Sequence, residues 1–302
     1  MYFEGVFPIL ATAFRDDEAL ELESMHRLVR FMKRLGVDGV TVLGVLGEAN
    51  RLTDREREDV VRAAVAAAEG LPVIVGASAS GTRAACELAQ MAEKLGASAV
   101  MVTPHAEPAP NDERIVEYYR AIGQAVRIPI VLQDHPASTQ VHMSVPLMLR
   151  ILREMPAIAC IKEEAVPTPP KIRALRAGMT ERKVPILSGL GALYGAFDLE
   201  AGSSGFNTGF AFPEALMAMV RAANAGDAKR MREIYARFLP VIVFEQQPGV
   251  AVRKEILRLR GAISGNQVRH PGARIAPAVA EQLHSLLDAV LPGQDLTAPI
   301  PV

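Results

Sequence analysis

Short apolar runs alternate along this chain with longer segments in which apolar residues recur every three or four positions. The strand-like runs are 5–14 (GVFPILATAF), 38–44 (DGVTVLG), 72–79 (PVIVGASA) and 97–104 (ASAVMVTP). Four more follow at 129–135 (PIVLQDH), 158–164 (IACIKEE), 185–191 (PILSGLG) and 202–209 (GSSGFNTG). Between them the helical period predicts helices near 23–35, 53–69, 81–95, 111–126, 144–154, 168–178 and 213–224. The segment 53–69 opens with Thr53 as N-cap and Glu56 three residues on, the signature of a capping box. Strands separated by helices pair in parallel. Eight such units in the first 224 residues predict a closed (β/α)8 TIM barrel rather than an open doubly wound sheet. A dinucleotide-binding reading would need G-x-G-x-x-G after the first strand, and FPILATAFRDD has none.

Beyond residue 224 the pattern is helical only, at 227–242, about 247–260 and 275–290. The expected organisation is a barrel over 1–224, a three-helix region over 225–293 and a tail, 294–302, that reads as an arm or loose end. Net charge is −1, which gives no general attraction to nucleic acid or to an anionic membrane. No apolar run reaches the length of a membrane span, and MYFEGVFPIL has no basic stretch of signal-peptide type. The two cysteines, Cys86 and Cys160, lack metal spacing and fit free thiols in a cytoplasmic setting. The six histidines form no H-x-H or H-E-x-x-H, so no metal is expected.

Within AIACIKEEA (157–165) an apolar strand ends in Lys162. Burial disfavours a charged amine and is one route to a nucleophilic lysine. The plain reading is an ion pair with Glu163 or Glu164. Only seven lysines occur, and the other six lie in polar, helix-like or loop contexts. In a barrel, chemistry sits at the C-terminal ends of the strands. Side chains alternate along a strand, so Lys162 pointing inward takes Cys160 and Glu164 with it, while Ile161 and Glu163 face the helices. On the fifth strand the same parity groups Val131, Gln133 and His135 inward, with Gln133 beside Lys162. Glu164 can move protons or serve as counter-ion. GVLGE, from Gly44 through Val45, Leu46 and Gly47 to Glu48, is a glycine-bracketed turn whose N–H groups could cradle a carboxylate. SGLG (188–191) and GSSG (202–205) close strands seven and eight, where barrels often bind phosphate, but neither has a basic residue nearby. His105 and His135 both stand at strand ends.

GVFPILATAF, GVLGE-x-x-x-L-T-x-x-ER, PVIVGASA, the lysine of IACIKEE and the helical C-terminal third resemble the dihydrodipicolinate synthase / N-acetylneuraminate lyase superfamily, in order and spacing over about residues 5–292. The resemblance implies a barrel with a three-helix C-terminal region, usually a homotetramer, and chemistry without a cofactor. It also implies that Lys162 forms a Schiff base with a 2-oxo acid whose carboxylate rests on the Gly44–Glu48 turn. With Lys162, Glu164 and Gln133 as catalytic residues, the substrate-binding set becomes that turn with His135, Ser138, Gly189 and Asn207.

Departures from the family pattern narrow the chemistry. The fifth strand usually carries a tyrosine in Y-N-x-P, and here QDHP puts Gln133 in that place. The two threonines usual in the turn are Val45 and Leu46, P-Y-Y is Pro104-His105-Ala106, and the arginine after the proline is Ser138. The acidic pair common after the seventh strand is Leu190-Gly191. Gln133 cannot titrate, so a tyrosine-like acid/base role is excluded there. Q-D-x-P-A-S and K-x-E are similar to the branch that dehydrates 2-keto-3-deoxy sugar acids, L-2-keto-3-deoxyarabonate dehydratase among them. The expected activity is a lyase, dehydratase or aldolase, on a small 2-oxo acid. The alternatives are a pyruvate-condensing synthase, a non-catalytic 2-oxo-acid binder, and a phosphate-binding barrel.

Overall fold

Runs of valine, isoleucine and alanine suit a strand buried on both faces, and here they form a parallel sheet covered by helices. The computed structural model describes residues 3–108, 111–247 and 249–302. Its strands are β1 (Gly5–Val6), β2 (Val40–Val42), β3 (Val73–Gly76), β4 (Ala99–Val102), β5 (Ile130–Asp134), β6 (Ile158–Glu163), β7 (Ile186–Ser188) and β8 (Gly205–Phe206). Each pairs in parallel with its successor from β2 to β8, and β8 pairs with β1. The ring closes where Thr41 N–H donates to Pro8 O and Leu10 N–H to Thr41 O, both at 2.8 Å. The expected barrel is the observed fold.

The first and last strands are shorter than 5–14 and 202–209 suggested. Pro8 has no N–H to give a ladder. At Gly205 the backbones run so close that an added Cβ would lie 1.9 Å from Gly5 O.

The helices between strands are α1 (Leu22–Leu35), α2 (Asp54–Ala68), α3 (Thr82–Lys94), α4 (Asp112–Ala125), α5 (Val145–Glu154), α6 (Thr168–Gly178), α7 (Gly195–Glu200) and α8 (Pro213–Asn224). The Thr53–Glu56 capping box forms as read. Helix α7 was not predicted, because six residues are too few to display a helical period. Short 3-10 turns at Val45–Gly47, Ala49–Arg51 and Leu190–Ala192, and one helical turn at Pro136–Thr139, follow the ends of β2, β7 and β5. Loop structure is therefore concentrated at the C-terminal mouth of the barrel.

Three more helices follow, α9 (Ala228–Phe244), α10 (Ala251–Leu259) and α11 (Pro277–Val290). The buried Arg260 fastens this region to the barrel, donating to Ala211 O at 2.6 Å, pairing with Glu214 and lying 4.8 Å over the Phe31 and Phe212 rings. The tail is not loose: Ile300 is buried and its N–H donates to Glu214 Oε1 at 3.2 Å. Apolar side chains at the end take the tail inward despite its prolines.

Inside the barrel, Phe3, Phe7, Ile74, Ala99, Met101, Val131, Cys160 and Leu187 form a separate apolar plug. It is the floor beneath Gln133 and Lys162, which lie two residues further along β5 and β6 than Val131 and Cys160. Cys86 and Cys160 are free thiols. Among the described residues, no helix is long and apolar enough to cross a membrane.

Candidate active site

Register places Gln133 opposite Lys162 and Asp134 opposite Glu163 across β5 and β6. Lys162 is buried, and its Nζ lies 3.0 Å from Glu164 Oε2. The same oxygen accepts a hydrogen bond from Gln133 Nε2 at 2.7 Å, while Oε1 accepts from Leu190 N–H at 3.2 Å. Glu164 lies just past the strand, and its N–H still reaches Asp134 O at 3.0 Å. The alternation read from the sequence thus extends to it. Gly189 makes room for this carboxylate, since a Cβ there would fall 2.1 Å from Glu164 Oε1. Burial pushes the Glu164 pKa up, but the charge of Lys162, with His135 and the Gln133 bond, brings it below the ordinary value. A carboxylate so held is a proton acceptor.

On the helix side of the same strand pair, Asp134 and Glu163 are both buried. Lys171 pairs with Asp134, and Ala165 N–H donates to Glu163 Oε1 at 2.8 Å. Asp134 Oδ1 and Glu163 Oε2 are sealed without hydrogen-bond partners among the described residues. Burial, then the Asp134 charge, raises the Glu163 pKa to about 8, and burial raises that of Asp134.

In the turn after β2, Gly47 N–H donates to Gly44 O at 3.0 Å and Glu48 N–H to Val45 O at 3.1 Å. These bonds do not use the N–H groups of Val45 and Leu46, the first of the 3-10 turn. Gly44 packs closely, its would-be Cβ 2.8 Å from Ile9 Cγ2. Glu48 anchors the turn: its carboxylate accepts from Arg51 Nη1 at 2.6 Å and Arg269 N–H at 3.1 Å, and pairs with Lys254. Lys254 corrects the reading that every lysine other than Lys162 lies in a polar context. It is fully buried, and burial lowers its pKa to about 8 against the opposing pull of Glu48.

A cavity of about 300 Å³ opens above Lys162. Of the expected residues, Lys162, Glu164, Gln133, Val45, Leu46, Glu48 and His135 line it. Gly44, Gly47, Ser138, Gly189 and Asn207 lie outside its wall. Ser138 Oγ is instead 2.6 Å from His135 Nδ1, bracing that ring. Asn207 is sealed in the barrel, donating to Phe7 O at 2.9 Å and Thr41 Oγ1 at 2.7 Å, and so ties β8 to the β1–β2 closure. His105 lines a separate hollow of about 720 Å³ that shares no residue with this cavity. No tyrosine lines the cavity among the described residues. Tyr118 and Tyr119 donate to Thr103 O and Val102 O behind β4. The described residues contain no group of His, Cys, Asp or Glu arranged to hold a metal.

Sequence reasoning missed Thr208, Gln246 and Arg253, which also line the cavity. The helical region also reaches the site: α10 carries Arg253 to the seventh-strand loop, where a Cβ on Gly191 would fall 2.9 Å from Arg253 Nη2. At GSSG, Arg176 supplies hydrogen bonds to Gly202 O at 2.7 Å and Ser204 Oγ at 2.6 Å. Both loops therefore have basic neighbours, brought from distant segments. The available signal was VRKE, three adjacent charges within an apolar helix.

The profile of the Dihydrodipicolinate synthetase family matches residues 2–290. An L-2-keto-3-deoxyarabonate dehydratase of Azospirillum brasilense is 33% identical over 92% of both chains. A 4-hydroxy-tetrahydrodipicolinate synthase of Methanothrix thermoacetophila is 30% identical over 98% of both. The crystal structure of a dihydrodipicolinate synthase from Rhodopseudomonas palustris superposes with a TM-score of 0.90 at 35% identity, covering 94% of this chain and 97% of that one.

Proposed function

Since the chain belongs to the dihydrodipicolinate synthetase family, we propose that it is a Schiff-base-forming lyase acting on a small 2-oxo acid of the 2-keto-3-deoxy sugar acid class. The observation that carries this reading is the buried Lys162 amine at the base of the cavity with the Glu164 carboxylate 3.0 Å away. Lys162 Nζ attacks the C2 carbonyl, and a proton passes from the nitrogen to the former carbonyl oxygen. The carbinolamine then loses water to leave an iminium, an electron sink for the neighbouring bonds. Glu164 takes the C3 proton to give an enamine, and returns that proton to the C4 hydroxyl as the enamine electron pair expels it as water. Hydrolysis of the product iminium regenerates the amine. An aldolase would share the steps to the iminium and break C3–C4 after removing the C4 hydroxyl proton. The N–H groups of Val45 and Leu46 suit the substrate's 1-carboxylate, and Gln133 orients Glu164 without titrating.

Dehydration is preferred because of the kinship with the Azospirillum enzyme and because Thr208 is the only hydroxyl-bearing residue described in the cavity wall. The division into a barrel over 1–224, a helical region over 225–293 and a tail over 294–302 belongs to the same proposal, as do a homotetramer and a cytoplasmic location.

Incubation with pyruvate and borohydride followed by intact mass should give one reduced adduct on Lys162. Turnover on a panel of 2-keto-3-deoxy sugar acids should follow. Adduct formation without turnover on any member would leave a 2-oxo-acid binder, and no adduct would end the Schiff-base reading.

A further inference from the structure

Arg253 is an unusual cavity residue, because it is only 6% exposed and its one close charged partner is Glu245, on the Nε side of the guanidinium. Its Nε lies 3.0 Å from Glu245 Oε2, an ion pair in which both atoms are sealed without a well-directed hydrogen bond. Burial pushes the Glu245 carboxyl up to about 7, against the opposing pull of Arg253. Arg253 lines the cavity, and its Nη2 lies beside the Gly191 loop. The missing side chain at Gly191 makes room for both groups: a Cβ there would fall 2.9 Å from Arg253 Nη2 and 2.3 Å from Gln246 Nε2. The other guanidinium in the wall, Arg51, is already committed to Glu48 at 2.6 Å.

The wall from Lys162 to Arg253 is continuous. Glu164 meets Lys162, Leu190 N–H meets Glu164, and Gly191 adjoins Arg253, its N–H fixed on Thr208 Oγ1 at 2.7 Å. A ligand bonded to Lys162 through C2 would extend along this wall.

We propose that Arg253, with Gln246, is a specificity-determining pair that binds the far end of the substrate, and that the far end is a second carboxylate. The substrate class is then a 2-oxo dicarboxylate rather than a 2-oxo acid ending in an alcohol. A guanidinium offers a planar fork of donors and no acceptor, which matches a carboxylate at two points and a lone hydroxyl at one. The Gln246 amide, one N–H of which donates to Ile242 O at 3.2 Å, has a second N–H to offer beside it. This inference rests on the Schiff-base reading, since Lys162 fixes where the ligand begins.

The test uses the full chain and borohydride trapping on Lys162, comparing 2-oxoglutarate and 2-oxoadipate with 2-oxopentanoate and 2-oxohexanoate, their length-matched monoacids. At least one diacid should half-trap at a concentration about tenfold or more below its partner, the size of one charge-assisted contact. Arg253→Gln should cut that diacid-to-monoacid ratio about tenfold. Arg253→Lys, which keeps the charge beside Glu245, should retain part of it and covers the case in which the glutamine variant does not fold. Equal trapping of diacids and monoacids by the unaltered protein, or an undiminished ratio in a folded Arg253→Gln variant, overturns the proposal. If pyruvate itself fails to trap, the Schiff-base reading falls and this inference falls with it.

Discussion

Lys162 and Glu164 stand on the same face at the end of β6, two residues apart, with their charged atoms 3.0 Å from one another and both side chains buried at the base of the cavity. Desolvating two charges costs several kcal/mol per ion, which attraction repays only when the remaining polar atoms are also satisfied. Glu164 meets that condition through Gln133 and Leu190 N–H. The pair therefore gives little net stability and is better understood as a poised chemical group.

Lys162→Ala should abolish adduct formation and turnover while the chain still folds. The alanine leaves Glu164 with two of its three partners, which limits the cost of the unpaired charge. Intact mass after borohydride and a thermal melt together check this. Unchanged turnover in the alanine variant would sink the assignment.

Glu164→Gln should retain pyruvate adduct formation and lower turnover at least about 100-fold, the low end for a lost general acid or base. A counter-ion role predicts the opposite, with adduct formation altered and turnover per adduct preserved. Single-turnover kinetics separates them. Normal turnover in this variant would move proton transfer to His135, which lines the same cavity.

The barrel and the inward parity of Cys160, Lys162 and Glu164 were legible because strand alternation and helical period are local signals. The close fit of α2, α5, α6 and α8 to their predicted spans has the same origin. What stayed hidden is tertiary. Lys254 and Arg253 look like ordinary helix-surface charges until α10 is set against the turn after β2 and the loop after β7. Asn207 looks like a strand-end ligand until it is seen spanning to Thr41 Oγ1. Ser138 reads as a cavity hydroxyl, but the helical turn Pro136–Thr139 aims it at His135. Periodicity specifies which face a side chain occupies, and it cannot specify which distant element covers that face.

Activity in condensing pyruvate with aspartate semialdehyde should be low, at least about 100-fold below that on a keto-deoxy acid substrate. Val45, Leu46 and Gln133 offer no titrating hydroxyl, and the described tyrosines lie outside the cavity. A coupled assay of the condensation checks this, and robust turnover there would show that another group performs the relay.

Glu163 gives a pH signature for stability. Its carboxyl has a pKa near 8 in the folded chain against an ordinary 4.5, raised by burial and then by Asp134, with Lys171 opposing. Below pH 4.5 both folded and unfolded chains hold the proton, and this group costs nothing. Between 4.5 and 8 the unfolded chain releases it and the folded chain keeps it, so stability falls as pH rises. Above 8 the loss is complete. Glu163→Gln removes the titration while its amide oxygen still accepts from Ala165 N–H. The melting temperature of the variant relative to the unaltered chain should therefore climb between pH 5 and 8.5, by about 2 °C or more. Thermal melts across that range decide it, and a constant or shrinking difference would mean that Lys171 balances the Glu163 charge without help from a retained proton.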